Sequence, residues 1–81
     1  MNAHILIAGD DVIKVWGQPP NRYQVFTELA KYFEGVVNPP NCTRVAYDLV
    51  NEDTSPFARM IVMPIQTYKH ILQSAIENQD D

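Results

Sequence analysis

The chain has 81 residues and a mass of 9.3 kDa, which leaves room for a single domain. Apolar residues make up 46% of the chain, too many for an intrinsically disordered protein. The net charge is −4 at pH 7, and the six basic residues are scattered singly along the sequence. Direct binding of nucleic acid is therefore not expected, and a basic protein partner suits the charge better.

The sequence also bears on the compartment. No segment approaches the ~18 consecutive apolar residues that a membrane-spanning helix needs. Residues 1–8 have no basic start of the kind found in signal peptides. Cys42 is the single cysteine, so no intrachain disulfide can form. These features predict a cytoplasmic protein without membrane attachment.

The first two predicted elements form a β-hairpin. Residues 3–8 and 12–16 are short and rich in β-branched side chains, which is typical of strands. The three residues between them include Gly9, as expected for a tight connection.

A helix is predicted next. Asn21 follows two prolines and has the features of an N-cap residue, with Gln24 placed to complete a capping box. Gly35 suits the left-handed position after the helix. At 100° per residue, one face collects the apolar side chains Tyr23, Phe26, Leu29, Ala30 and Phe33.

Two further strands and a second helix are predicted in the remainder. Residues 43–50 alternate between apolar and polar side chains, which indicates a third strand. Residues 57–63 are almost continuously apolar, which predicts a fourth strand that is central and covered on both faces. Pro64 suits the first turn of a final helix. The apolar stripe of that helix comprises Tyr68, Ile71, Leu72, Ala75 and Ile76.

The predicted fold is therefore an α+β domain with ββαββα order. A mixed four-stranded sheet would carry both helices on one face, as a two-layer sandwich. The sequence Pro-Pro-Asn occurs at residues 19–21 and again at 39–41. It is not interpreted as a structural repeat, because one copy precedes a helix and the other a predicted strand. The domain is expected to span residues 1–78, with residues 79–81 frayed.

The residues that could carry chemistry form no known motif. The pairs Asp10–Asp11 and Glu52–Asp53 would lie at opposite ends of the predicted sheet and are interpreted as turn-forming residues. His4, His70 and Cys42 lack the close spacing of a metal motif. No catalytic, cofactor-binding or metal-binding residue is assigned, and an enzyme is not expected.

Two hypotheses for function remain. The first is a non-enzymatic, homodimeric protein-interaction module of the inhibitor or adaptor type, a class that includes proteins of phages and mobile elements. Its binding site for a basic partner would include Asp48, Glu52 and Asp53. Its self-association surface would include Trp16, Val25, Tyr32 and Val36. The alternative is a small ligand-binding or catalytic domain with a pocket at a homodimer seam, where two copies of Asp10–Asp11 or His4 converge.

Overall fold

The structure, a computed structural model, describes residues 1–77. It is an α+β fold in which the elements follow the order ββααβα. The strands are β1 (Asn2–Ala8), β2 (Asp11–Trp16) and β3 (Arg59–Pro64), and the helices are α1 (Arg22–Tyr32), α2 (Cys42–Val50) and α3 (Ile65–Glu77). The predicted fraying of residues 79–81 lies outside the described residues.

The three strands form one antiparallel sheet with the order β2-β1-β3. The predicted hairpin of β1 and β2 is confirmed, and Gly9 adopts a left-handed φ of 60° in its turn. A four-stranded mixed sheet was the wrong expectation. The predicted fourth strand is β3, which pairs only with β1 and is an edge strand rather than a central one.

The predicted third strand is the helix α2. Residues 43–50 fit the periodicity of a strand and that of a helix equally well. Apolar and polar residues alternate along them, but at 100° per residue Val45, Ala46 and Leu49 also lie on one side of a helix. Asn41 decides between them: its side chain accepts a hydrogen bond from the Arg44 amide, as an N-cap does. An ion pair of 3.1 Å between Arg44 and Asp48, one helical turn apart, adds to the helix.

The repeated Pro-Pro-Asn sequence is therefore a repeated helix start, contrary to the prediction. Asn21 caps α1 as Asn41 caps α2, and both side chains accept from the amide three residues further on. Gln24 completes the predicted capping box by accepting from the Asn21 amide. In both copies the two prolines keep the chain extended just before the cap residue. A helix therefore cannot continue through them from the preceding segment.

The core lies between α1, α2 and one face of the sheet. Leu6 and Ala8 of the central strand are buried against side chains from both helices. The buried residues of this core are Leu6, Ala8, Val25, Leu29, Val45, Ala46, Leu49 and Ala58. Side chains alternate along a strand, so Ala3, Ile5 and Ile7 of β1 point to the opposite face of the sheet.

Two predicted helix faces differ from those observed. The buried side of α1 is turned toward Val25 and Leu29, so Tyr23, predicted to face the core, is exposed. The final helix, α3, has the predicted apolar stripe, but none of its residues is buried. It follows β3 without a connecting residue and does not join α1 on the covered face of the sheet.

The identity of α2 as a capped helix leads to a direct prediction. Replacing Asn41 with alanine removes the acceptor for the Arg44 amide and should lower the free energy of unfolding by about 1 kcal/mol. Denaturant unfolding followed by circular dichroism measures this change. Thr43→Ala, on the exposed side of the same helix, is the matched control. Equal stability of the Asn41→Ala and Thr43→Ala proteins would contradict the capping role.

Candidate functional site

A groove of about 540 Å³ lies between the end of α2 and the edge strand β3. Its volume falls in the range of pockets that hold small molecules or the side chains of a bound chain. Three connected parts of the fold form it: the last residues of α2 with the loop that follows, the strand β3 with its neighbour β1, and the segment before α1. We call this feature the β3 groove.

One side of the β3 groove comes from the sheet. Val62 lies opposite His4 in the register of β3 and β1, and Met60 lies opposite Leu6. All four belong to the face that α1 and α2 cover in part. Val62 remains 52% exposed, which shows that the two helices leave the outer part of that face open.

The other side of the β3 groove is apolar at its base. Leu49 and Val50, the last two residues of α2, line it together with Pro19 and Pro20 from the segment ahead of α1. Leu49 is part of the buried core, whereas Val50 is exposed. An apolar lining of this kind, bordered by a few polar groups, is typical of binding sites.

Two carboxylates border the β3 groove where α2 ends. Glu52 and Asp53 follow the C-cap residue Asn51 and line the groove. Neither forms an ion pair in the described part of the chain. The C-terminus of a helix carries a partial negative charge, which adds to that of the two carboxylates. Arg59, at the start of β3, also lines the groove, but the two carboxylates outnumber it, so this end of the groove attracts a cationic group.

The backbone that presents Glu52 is unusual for its residue type. The Glu52 amide donates to the Leu49 carbonyl at 3.2 Å, and the Asp53 amide donates to the Asp48 carbonyl at 2.8 Å. This pair of bonds is a Schellman motif, whose left-handed position is usually glycine. Here Glu52 occupies that position with a φ of 62°. A glutamate in this conformation costs about 1 kcal/mol, so the motif presents a carboxylate at the expense of stability.

The third residue of the predicted partner site, Asp48, lies outside the β3 groove, as does the Asp10–Asp11 pair of the alternative hypothesis. Asp48 is on α2, where its carboxylate is paired with Arg44, and it does not line the β3 groove. The pair Asp10–Asp11 does not line it either. Instead, Asp11 accepts a hydrogen bond of 2.8 Å from the Tyr32 hydroxyl, which joins the hairpin turn to the end of α1. This bond, with the nearby carboxylates, raises the pKa of Tyr32 above its usual value.

Of the four residues predicted to mediate self-association, one does not reach the surface. Val25 is fully buried in the core and offers no surface to a partner. Trp16 is half-buried and packs against the same core. Tyr32 is engaged with Asp11, and Val36 is exposed in the segment after α1.

The histidines and the cysteine remain separate. Within residues 1–77, no group of three His, Cys, Asp or Glu side chains is placed to hold a metal ion. His4 lines the β3 groove, whereas His70 is exposed on α3. Cys42 is half-buried at the start of α2, and burial raises the pKa of its thiol. A higher pKa lowers the fraction of reactive thiolate at neutral pH.

Comparison with models of protein families, with curated proteins and with solved structures finds no match for this chain. In the part of the chain that the structure describes, no helix combines the length and apolar character needed to cross a membrane. The site is therefore interpreted from its own residues.

Sequence reasoning proposed Glu52 and Asp53, which line the β3 groove, but did not include the residues on the sheet side of it. Met60 and Val62 belong to an apolar run that predicts a strand covered on both faces. The signal that could have corrected this was Asn41. As a helix N-cap it makes residues 43–50 a helix rather than a strand, which leaves three strands in the sheet. The last strand can then lie at an edge of the sheet.

The strain at Glu52 can be measured. Glu52→Gly should raise the free energy of unfolding by about 1 kcal/mol, because glycine adopts a positive φ without steric cost. The matched control is Asp53→Gly, next in the chain, whose φ is not in the left-handed region. That substitution only adds freedom to the unfolded chain and should not stabilise the protein. A loss of stability in the Glu52→Gly protein would contradict this account of the turn.

Proposed function

We propose that this protein is an interaction module that binds an extended, basic segment of a partner protein along β3, with partner side chains in the β3 groove. The observation that carries the proposal is an open edge strand directly beside a groove with an acidic end. An extended segment can add to such an edge through main-chain hydrogen bonds, while adjacent pockets select its side chains.

The two edges of the sheet differ in a way that favours β3. Edge strands invite pairing with other chains unless a charge, a proline or a bulge blocks them. The β2 edge carries Lys14 near its centre and an irregular register where it pairs with Leu6 and Ile7. In β3, the charged residue Arg59 and the proline Pro64 stand only at the ends. Its four central residues are apolar, so this edge is open to another strand.

Charge favours a basic partner. The acidic border of the β3 groove consists of Glu52 and Asp53, which have no basic neighbour within ion-pair distance among residues 1–77. The strained conformation of Glu52 places one of these carboxylates beside the groove. Electrostatic attraction of this kind increases the rate of association and selects partners by charge. Occupying a surface on another protein in this way is the action of an inhibitor or adaptor.

A second function has one observation in its favour. His4 is half-buried and lines the β3 groove, so a small ligand could place a polar group against its imidazole. This differs from the predicted homodimer seam, because the residues around the groove come from one chain. A thermal-shift screen with metal ions and common metabolites tests it, since a ligand that binds only the native state raises the melting temperature.

A peptide-binding experiment tests the first function. We expect a random peptide library displayed on phage, selected on the purified protein, to yield sequences that combine alternating apolar residues with Lys or Arg. The affinity of a selected synthetic peptide is then measured by calorimetry at several salt concentrations. The double substitution Glu52→Lys and Asp53→Lys should weaken binding about tenfold and reduce its salt dependence. Val62→Glu should also weaken binding, because it puts a charge on the apolar strand.

The control is Ile76→Glu, which adds the same charge at an exposed apolar residue of α3, 66% exposed against 52% for Val62. Its peptide affinity should equal that of the wild type. Full affinity in both groove variants would reject the β3 groove as the binding site. Failure of the library to yield any peptide, together with strong thermal stabilisation by one small ligand, would favour the second function.

A further inference from the structure

The helix α3 presents an apolar stripe that its own chain leaves exposed. At 100° per residue, Ile65, Tyr68, Leu72 and Ile76 lie along one side of the helix, and Ile71 widens the stripe. The first two of these side chains are half-buried, but Ile71, Leu72 and Ile76 are 49%, 44% and 66% exposed. A helix with such a stripe on a water-soluble domain usually has a partner surface.

A second apolar surface, covered only in part, lies on the sheet. The face opposite the core carries Ala3, Ile5 and Ile7 from β1, and the register places Val12 and Ile61 beside them. Ala3 and Ile5 are buried in the centre of this face. Toward the edges the cover is incomplete, because Ile61 is only half-buried and Val12 is 53% exposed. We call this surface the second face of the sheet.

The connection between β3 and α3 prevents the helix from covering the second face of its own sheet completely. Pro64 ends the strand and Ile65 begins the helix, with no loop residue between them. A helix that folds back over the strand it follows normally needs a loop of about 2–6 residues. The Ile65 amide instead donates to the Met1 carbonyl at 3.1 Å, which holds the start of α3 at the end of the sheet. The apolar side chains of the later turns, Ile71, Leu72 and Ile76, remain exposed.

The dimensions of the chain agree with a surface left open. It exposes 5982 Å², about 1,000 Å² more than expected for a compact folded monomer of 9.3 kDa. Its radius of gyration is 13.7 Å, against about 12 Å for a compact domain of this length. A stable dimer buries about 800 Å² on each partner. The excess surface is therefore of the size that one interface would bury.

We propose that a second copy of this chain covers these surfaces. The last two turns of α3 from one protomer pack against the exposed part of the second face of the other, where Val12 lies, and a twofold axis makes the contact reciprocal. Both surfaces are apolar where they meet, so the net charge of −4 on each copy opposes the contact only at its rim. This interface is separate from the β3 groove, which lies on the other face of the sheet.

The test is the oligomeric state measured by sedimentation equilibrium over a range of protein concentrations. The wild-type chain should be a dimer at micromolar concentration. Ile76→Glu on α3 and Val12→Glu on the second face should each raise the dimer dissociation constant at least about tenfold. Val62→Glu is the matched control, because Val62 and Val12 are equally exposed but lie on opposite faces of the sheet. Its dissociation constant should match the wild type.

Each other result contradicts the proposal in a distinct way. If the wild-type chain stays monomeric at concentrations about 100 times higher than micromolar, it has no such interface. If the chain is a monomer and the Ile76→Glu substitution lowers its melting temperature, the apolar stripe of α3 is covered by the sheet of the same chain. A dimer that only Val62→Glu dissociates uses the β3 edge instead. Circular dichroism of each variant shows whether it is folded, so that loss of the dimer is distinguished from loss of the fold.

Discussion

Leu6 and Ala8 of β1 are buried beneath α1 and α2, and the other features of the molecule depend on this contact. The two helices meet the face of the sheet above its central strand, where Val25, Leu29 and Val45 complete the core. Because they cover this centre, they leave the outer part of β3 exposed, and the end of α2 is brought beside it. The groove is thus a consequence of placing two short helices on a sheet of three strands.

The site combines three elements that have separate structural causes. The edge strand follows from the strand order, the apolar base follows from the end of α2, and the acidic border follows from the Schellman turn after α2. Glu52 links stability to function in this account, because the left-handed position would be more stable with glycine. In the proposed function, the carboxylate is kept at this position, at some cost in stability, because it attracts the partner.

The sequence predicts the local structure of this chain better than its topology. The hairpin, α1 with its capping box and the presence of a final helix are predictable, because each depends on signals within a few residues. Residues 43–50 mislead because eight residues are too few to separate alternation from helical periodicity, and only the cap at Asn41 decides. That error adds a strand, and the almost continuous apolar run of residues 57–63 separately makes β3 appear central. Glu52 and Asp53 were predictable by charge, but the groove beside them depends on tertiary packing.

Hydrogen exchange measured along the chain, with and without a bound peptide, tests the central claim most directly. Main-chain pairing with the open edge should slow the exchange of outward-facing amides within Arg59–Pro64 and leave the amides of β2 unchanged. Slower exchange near Glu52 and Asp53 should accompany it, since these residues border the same groove. Protection confined to β2 or to the outer surfaces of α1 and α2, with β3 unaffected, would show that the partner binds elsewhere and would contradict the account.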